Sequence, residues 1–331
     1  MRVAVVGLGS IGRRHVRIIQ EFFPDIKIIV VRREESSYVF EEQYAEKVLT
    51  ETSDAISEKL DAAIIASPAT KHVEQAIDFI SNSIPVLIEK PLSNLYREAL
   101  RLRELKSANL TSWNRSLVGY VLRYYPPYER VKKILQRPYY GAMRSVRVEV
   151  NSYLPEWRPE YNYLNTVSAK KELGGGVLRE LSHELDYINK LFGPIGTATG
   201  WKNEFSTLHI DADEHVELLM VGVNELPISV KLDFATQAPA YRRLIIDFEY
   251  ATIELDFINS KVSVKTPSKP IEVEEFEVER NQMFYSQFNH FLEVIKTHES
   301  PECTLDEGIE VMAIIDAVER SFSSKRWERV E

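Results

Sequence analysis

Three glycines spaced for a phosphate group stand near the start of the chain. Gly7-Leu-Gly9-Ser-Ile-Gly12 follows the apolar run Val3–Val6 and precedes a helical pattern. In that setting the spacing is a dinucleotide fingerprint. The first glycine makes the tight turn, the second lets backbone approach a diphosphate, and the third lets helix pack on strand. The diphosphate would rest on the helix N-terminus, where N–H groups and the positive end of the dipole favour an anion. Gly7, Gly9, Ser10, Ile11 and Gly12 are the expected contacts. About twenty residues further on, where the ribose-reading residue belongs, the chain reads Val31-Arg32-Arg33-Glu34. Arg32 and Arg33 suit a 2′-phosphate through charge-assisted hydrogen bonds. NADP is therefore preferred over NAD, with an inward-turned Glu34 or Glu35 as the route to NAD. The seven histidines show neither His-x-His nor His-Glu-x-x-His spacing, so no metal is expected. Cys303 is the sole cysteine, which excludes an internal disulfide and agrees with a reducing compartment. It reads as a surface or packing thiol.

The elements that must position these groups fall into two sets. Val3–Val6, Ile26–Val31, Ala62–Ala66, Val86–Ile88 and Leu117–Tyr120 are β-rich runs. They alternate with helical stretches such as Thr70–Ile80, which Thr70 is expected to cap. Apolar strands separated by helices make a parallel sheet covered on both faces. A doubly wound Rossmann domain over residues 1–120 is expected. Beyond it, Val146, Val148 and Val150 alternate with Arg147 and Glu149, the period-two pattern of a strand with one buried face. Similar runs recur at Val216–Val223, Ile228–Phe234, Arg243–Phe248, Thr252–Phe257 and Lys261–Lys265. Helical patterns cover Gly176–Phe192, Asn281–Thr297 and Thr304–Ser321, the last opened by the capping box Thr304-Leu-Asp-Glu307. Residues 121–331 are expected to form an α+β substrate-binding and oligomerisation domain on an open, mainly antiparallel sheet.

A length of 331 residues suits two domains. Hydrophobic residues at 44% and charged ones at 27% describe a globular chain. No stretch approaches the ~20 apolar residues of a membrane span, and the N-terminus lacks a small-residue cleavage site. A cytoplasmic location is expected. The net charge of −9 argues against nucleic acid, which needs a cationic stripe.

Four further segments resemble the Gfo/Idh/MocA family of oxidoreductases (glucose–fructose oxidoreductase and inositol dehydrogenase among them). They are Ala66-Ser-Pro-Ala-Thr-Lys-His72, Glu89-Lys90-Pro91, Val118-Gly-Tyr-Val-Leu-Arg-Tyr-Tyr-Pro126 and Gly174-Gly-Gly-Val-Leu-Arg-Glu-Leu-Ser-His-Glu-Leu-Asp186. They come in the family's order and cover nearly the whole chain. The resemblance implies that Ser67, Pro68, His72, Glu89 and Lys90 line the cofactor. It implies a cis bond before Pro91, fixing the direction of Lys90, and places that lysine beside nicotinamide and substrate hydroxyl. The position is physically reasonable, since doubly wound sheets bind ligands at the carboxyl ends of their strands. A partly desolvated lysine there can exchange a proton near neutral pH.

His183 matches the family's helical histidine and can take or give the hydroxyl proton. On a continuous helix, Val177, Leu181, Leu185, Ile188 and Phe192 form the buried stripe, with Glu180, His183 and Tyr187 on the flank beside it. The family has Asp or Asn four residues before this histidine, where the chain has Arg179. Glu180, three residues before, is expected to orient His183 in its place, and Asp186 to be structural.

Trp157, Arg158 and Tyr163 precede the glycine-rich helix start, and Arg123 lies where the family's strand approaches the cleft. Aromatics beside an arginine suit a sugar. The resemblance points to bacterial surface-sugar pathways and an activated or acidic sugar. The expected activity is hydride transfer between nicotinamide and a sugar hydroxyl or ketone, with Lys90, His183 and Glu180 catalytic. A redox-neutral sugar enzyme using bound cofactor transiently, or a non-catalytic dinucleotide sensor, stands as the alternative. A homodimer or homotetramer is expected.

Overall fold

A computed structural model describes residues 1–33, 38–136, 138–203 and 205–331; Glu34 and Glu35 lie outside them. The chain divides into two compact units, one formed by Met1–Val121 with Glu279–Met312, the other by Leu122–Val278 with Ala313–Glu331. The division is not sequential: a single cut at residue 120 would misassign the segment that returns to the first unit.

That unit is built on six strands: β1 (Arg2–Val6), β2 (Lys27–Val31), β3 (Ala45–Leu49), β4 (Ala62–Ile65), β5 (Val86–Ile88) and β6 (Leu117–Val118). All pair in parallel, in the order β3-β2-β1-β4-β5-β6. The order reverses beside β1, and ligands of such sheets bind outside the carboxyl ends of the strands at that switch. The strands are apolar throughout because both faces are covered: Val3, Val5, Ile28, Val30, Ala62 and Ile64 are fully or almost fully buried. The covering helices are α1 (Ser10–Phe22), α2 (Thr52–Ile56), α3 (Ala69–Ser81), α4 (Tyr96–Arg103) and α5 (Leu110–Asn114). α3 begins after Pro68 with no side-chain cap, so Thr70 does not have the capping role expected of it. Far along the chain, Arg280–Thr297 is helical, and its Phe288, Phe291 and Leu292 pack into the same core as Val3, Val16 and Leu117. Burial of these aromatic faces brings the C-terminal segment back.

The second unit carries β7 (Met143–Asn151), β8 (Ile195–Lys202), β9 (His215–Gly222), β10 (Pro227–Asp233), β11 (Tyr241–Phe248), β12 (Thr252–Asp256), β13 (Lys261–Lys265), β14 (Glu272–Glu275) and β15 (Glu328–Arg329). They form one sheet ordered β14-β13-β12-β11-β7-β10-β9-β8-β15, antiparallel except where β7 and β10 run parallel. Val146, Val148 and Val150 on β7 pair with Ile228, Val230 and Leu232 on β10, and all six are buried. This is the one-sided burial that the alternation predicts. Its helices are α6 (Pro126–Leu135), α7 (Val177–Glu180) and α8 (Ser182–Phe192); the returning helix of the first unit is α9 (Arg280–Thr297), and α10 (Leu305–Ser324) spans the boundary at Met312. α10 opens on the expected capping box: Glu307 N–H donates to Thr304 Oγ1 at 3.1 Å and Thr304 N–H to Glu307 Oε2 at 2.9 Å. The expected helix Gly176–Phe192 is interrupted at Leu181 (φ −100°, ψ 28°), which ends α7 and precedes α8.

Candidate functional site

In the first unit the glycine loop joins β1 to α1. Gly7 has φ +91°, and a Cβ there would lie 2.8 Å from Ala66 O and Ser67 N, so only glycine fits without strain. A Cβ on Gly12 would fall 1.9 Å from Gly7 O, whereas one on Gly9 meets nothing within 4 Å. Two of the three positions are thus closed by the protein's own backbone, and the middle one faces open space. α1 starts at Gly9 with no side-chain cap and no acidic residue in its first turn. This donor set suits an anion, and a nicotinamide dinucleotide's diphosphate fits it. Ser10 is exposed, while Ile11 is partly buried against the core. Past β2, Arg32 is ion-paired with Glu42, whose carboxylate also accepts Val39 N–H at 2.8 Å. Arg33 is exposed.

The turns after β4 and β5 bring together the other expected residues of this unit. Ser67 Oγ donates to Gln75 Oε1 at 2.6 Å, and Pro68 precedes α3. His72, only 1% exposed, sits between two carbonyls: Nδ1 is 2.9 Å from Pro91 O and Nε2 2.8 Å from Ser67 O. Burial lowers its pKa, against the carbonyls and Glu89, which raise it. His72, expected to line the cofactor, ties the two turns together. Lys90 is partly exposed, and its bond to Pro91 is cis. Glu89 is buried and 2.7 Å from His15 Nε2. His15 was not singled out from the sequence. Its position one helical turn after Gly12, with an isolated Glu at the end of β5, was the available signal.

In the second unit, His183 lies in the first turn of α8 and is partly exposed. Glu180 is at the end of α7, before the break, where its Oε1 accepts Ser168 Oγ–H at 2.8 Å. The expected shared flank of Glu180, His183 and Tyr187 required one continuous helix, so that geometry is not built. Tyr187 is fully buried, stacked on Phe257 at 5.5 Å between ring centroids. Burial, followed by the nearby Glu184, raises its pKa well above the ordinary value. Enclosed in this way, Tyr187 is a packing residue and not the cleft-lining one expected. Arg179 is nearly buried and forks onto Glu319 of α10, at 2.7 and 3.1 Å. It therefore acts in packing, where the family pattern has Asp or Asn.

Arg123 and Asp186, each 1% exposed, form a second fork at 2.6 and 3.0 Å. Arg123, expected to contact substrate, is thus buried against Asp186, expected to be structural. Glu184, fully buried, accepts from Arg242 Nε at 2.6 Å. Gly176 (φ +109°) leaves room for Asp213, which accepts Leu178 N–H at 2.9 Å and anchors α7. Trp157 packs edge-on to Phe234 and donates to Ser152 Oγ, and Tyr163 OH donates to Leu208 O. Arg158 is exposed.

The first unit thus has a Rossmann sheet with a glycine loop at its switch point, and the second is a nine-stranded α+β unit. Residues 1–110 match the Gfo/Idh/MocA family model, described as oxidoreductase family, NAD-binding Rossmann fold. It is similar to inositol 2-dehydrogenase 2 of Mycolicibacterium vanbaalenii, with 28% identity over 202 residues, 58% of this chain and 54% of that one. The chain spans about a third to a half of the length of the first curated relatives it matches. Among solved structures, levoglucosan dehydrogenase in complex with NADH superposes with a TM-score of 0.87 at 17% identity, covering 100% of this chain and 99% of that one. The WlbA dehydrogenase from Bordetella pertussis, in complex with NADH and UDP-GlcNAcA, gives 0.83 at 18%, covering 100% and 98%. Both likenesses establish the fold. Among the described residues, no helix is long and apolar enough to cross a membrane.

Proposed function

We propose that the chain binds a nicotinamide dinucleotide on its first unit and transfers hydride between it and a hydroxyl or ketone of a sugar or sugar derivative. The observation that carries this reading is the glycine loop, closed at Gly7 and Gly12 and open at Gly9, over an uncapped helix start. When bound, the nicotinamide supplies or accepts the hydride. Lys90, at the carboxyl edge of the sheet, holds or exchanges the proton of the hydroxyl that becomes the ketone. His183 is assigned the same kind of duty on the second unit from its place in the family's motif, with Glu180 as an accessory carboxylate. Arg123 acts by holding α8 through Asp186.

Arg32 is neutralised by Glu42, which leaves Arg33, among the described residues of this turn, to meet a 2′-phosphate. That favours NAD and reverses the preference drawn from the sequence. An activated or acidic sugar, of the kind used in surface-sugar pathways, is the proposed substrate, supported by the exposed Arg158 beside Trp157. Trp201 and Leu219, 58% and 52% exposed on one sheet face, support a homodimer or homotetramer, and a cytoplasmic location accords with the single thiol.

The test is turnover on a panel of free sugars, uronic acids and nucleotide sugars with both cofactors. Lys90→Ala and His183→Ala are each expected to lower kcat by about 100- to 10,000-fold, with NADH binding retained. Unchanged turnover in both variants, or a wild-type protein that binds neither pyridine nucleotide, would sink the reading.

A further inference from the structure

Lys90 stands between two residues that are both held by buried histidines. His15 lies on α1, the helix whose N-terminus forms the diphosphate cradle, and is 1% exposed. Its Nε2 is 2.7 Å from Glu89 Oε1. A carboxylate only accepts, so the ring donates Nε2–H. His15 Nδ1 is buried and meets no partner among the described residues. The ring's hydrogen bonding is therefore directed wholly at Glu89. The other carboxylate oxygen accepts Lys90 N–H at 3.2 Å. On the β6 side a Cβ at Gly119 would come within 3.1 Å of the same carboxylate, so the group fills its space. On the far side of Lys90, His72 reaches the Pro91 carbonyl from α3.

A carboxylate buried at a strand end is costly unless paired, and a buried pair is a weak source of stability compared with an apolar residue of the same size. Packing alone gives no reason for Glu89 and His15. A directional contact does, because it fixes the backbone from which Lys90 departs. We propose that His15 is a positioning residue for Lys90, acting through Glu89, with His72 bracing the opposite side of the turn. The link also joins the cradle helix directly to the lysine's turn, so the cofactor's anchor and the proposed proton-handling amine share one hydrogen-bonded frame. The inference rests on the dinucleotide reading above and assigns that site a further residue.

The experiment compares His15→Leu, His15→Gln and the double variant His15→Leu/Glu89→Gln with wild type. It follows melting temperature, NADH affinity, kcat, KM and the acetylation rate of Lys90 by mass spectrometry, with exposed Lys47 as internal reference. His15→Leu is expected to lower kcat by about 10- to 100-fold, to change the Lys90 acetylation rate, and to leave NADH affinity little changed. His15→Gln retains a donor near the Nε2 position and should restore most of both. The double variant removes the buried unpaired charge, so melting temperature should recover while kcat and the Lys90 rate do not. Recovery of all three in the double variant, or a Lys90 rate in His15→Leu equal to wild type, overturns the proposal. A wild-type protein that binds no dinucleotide or turns nothing over overturns the functional reading instead, and the Lys90 rates still decide whether His15 places the lysine.

Discussion

The two units hold their polar groups by different means. In the first, the glycine loop proposed to hold the diphosphate is shaped by missing side chains: Gly7 turns where a Cβ would strike Ala66 and Ser67, and Gly12 lies against Gly7's own carbonyl. In the second, the helices that carry Glu180 and His183 are fastened by ion pairs between residues far apart in the chain. Arg123 and Asp186 are 63 positions apart, Arg242 and Glu184 58, and Arg179 and Glu319 140. A site made from backbone is specified within one turn of chain. A site made from distant charges is specified only once the fold exists.

If that contrast is right, the largest effect should come from splitting a buried pair. Asp186→Ala removes the carboxylate that faces the buried Arg123 guanidinium, and a loss of about 3–5 kcal/mol is expected in chemical denaturation. Arg123→Met/Asp186→Leu should recover most of it, because the cost lies in the uncompensated charge and not in the missing attraction. A single-variant loss below about 1 kcal/mol, the range of exposed pairs, would show that this fork does not hold α8. The next effect should come from Gly12→Ala. Its Cβ must displace backbone, which should cost about 1–3 kcal/mol as overpacking does. NADH affinity should fall by roughly 100-fold, or about 2.8 kcal/mol. Titration of intrinsic fluorescence with NADH measures this, and an unaltered affinity would remove the cradle from the argument.

The same contrast explains how much could be read in advance. Val86–Ile88 and Lys261–Lys265 match the observed strands residue for residue, because short apolar or alternating runs bounded by turns leave one register. The Thr304–Glu307 capping box is local and was legible. β3 was not: Ala45-Glu-Lys-Val-Leu49 is a partly exposed edge strand with two adjacent charges. β14, Glu272-Val-Glu-Glu275, is exposed at every position. Neither offers a periodic apolar signal. Nothing local told that Phe288 and Phe291 would return to the first unit, nor that Leu181 would break a helix whose apolar stripe continues through the break. His15, His72 and Arg32 could be placed in elements from sequence, but the partners that set their roles, Glu89, Pro91 and Glu42, come from other elements or later turns. The glycine loop needed no such partner.

A smaller effect separates the two regions by pH. His215 on β9 and Asp233 on β10 are cross-strand neighbours, with Nδ1 3.2 Å from Oδ2. The hydrogen bond that His215 donates to Asp233 raises the imidazole's pKa above its ordinary value of 6.5, outweighing burial. Burial works upward on Asp233, yet hydrogen bonds from His215, Thr236 and Ala235 hold it well below 3.8. A base with a raised folded pKa contributes stability that is complete below 6.5 and lost as pH climbs through the raised value. An acid with a lowered one contributes above 3.8 and loses it as pH falls. The gap in melting temperature between wild type and His215→Gln should therefore be widest from about pH 4 to 6.5 and close above neutrality. Gly12→Ala touches no ionisable group in its collision with Gly7, so its gap should stay level over the same range. A His215→Gln gap equally level across that range would mean that this pair, unlike the buried forks, is set by packing alone.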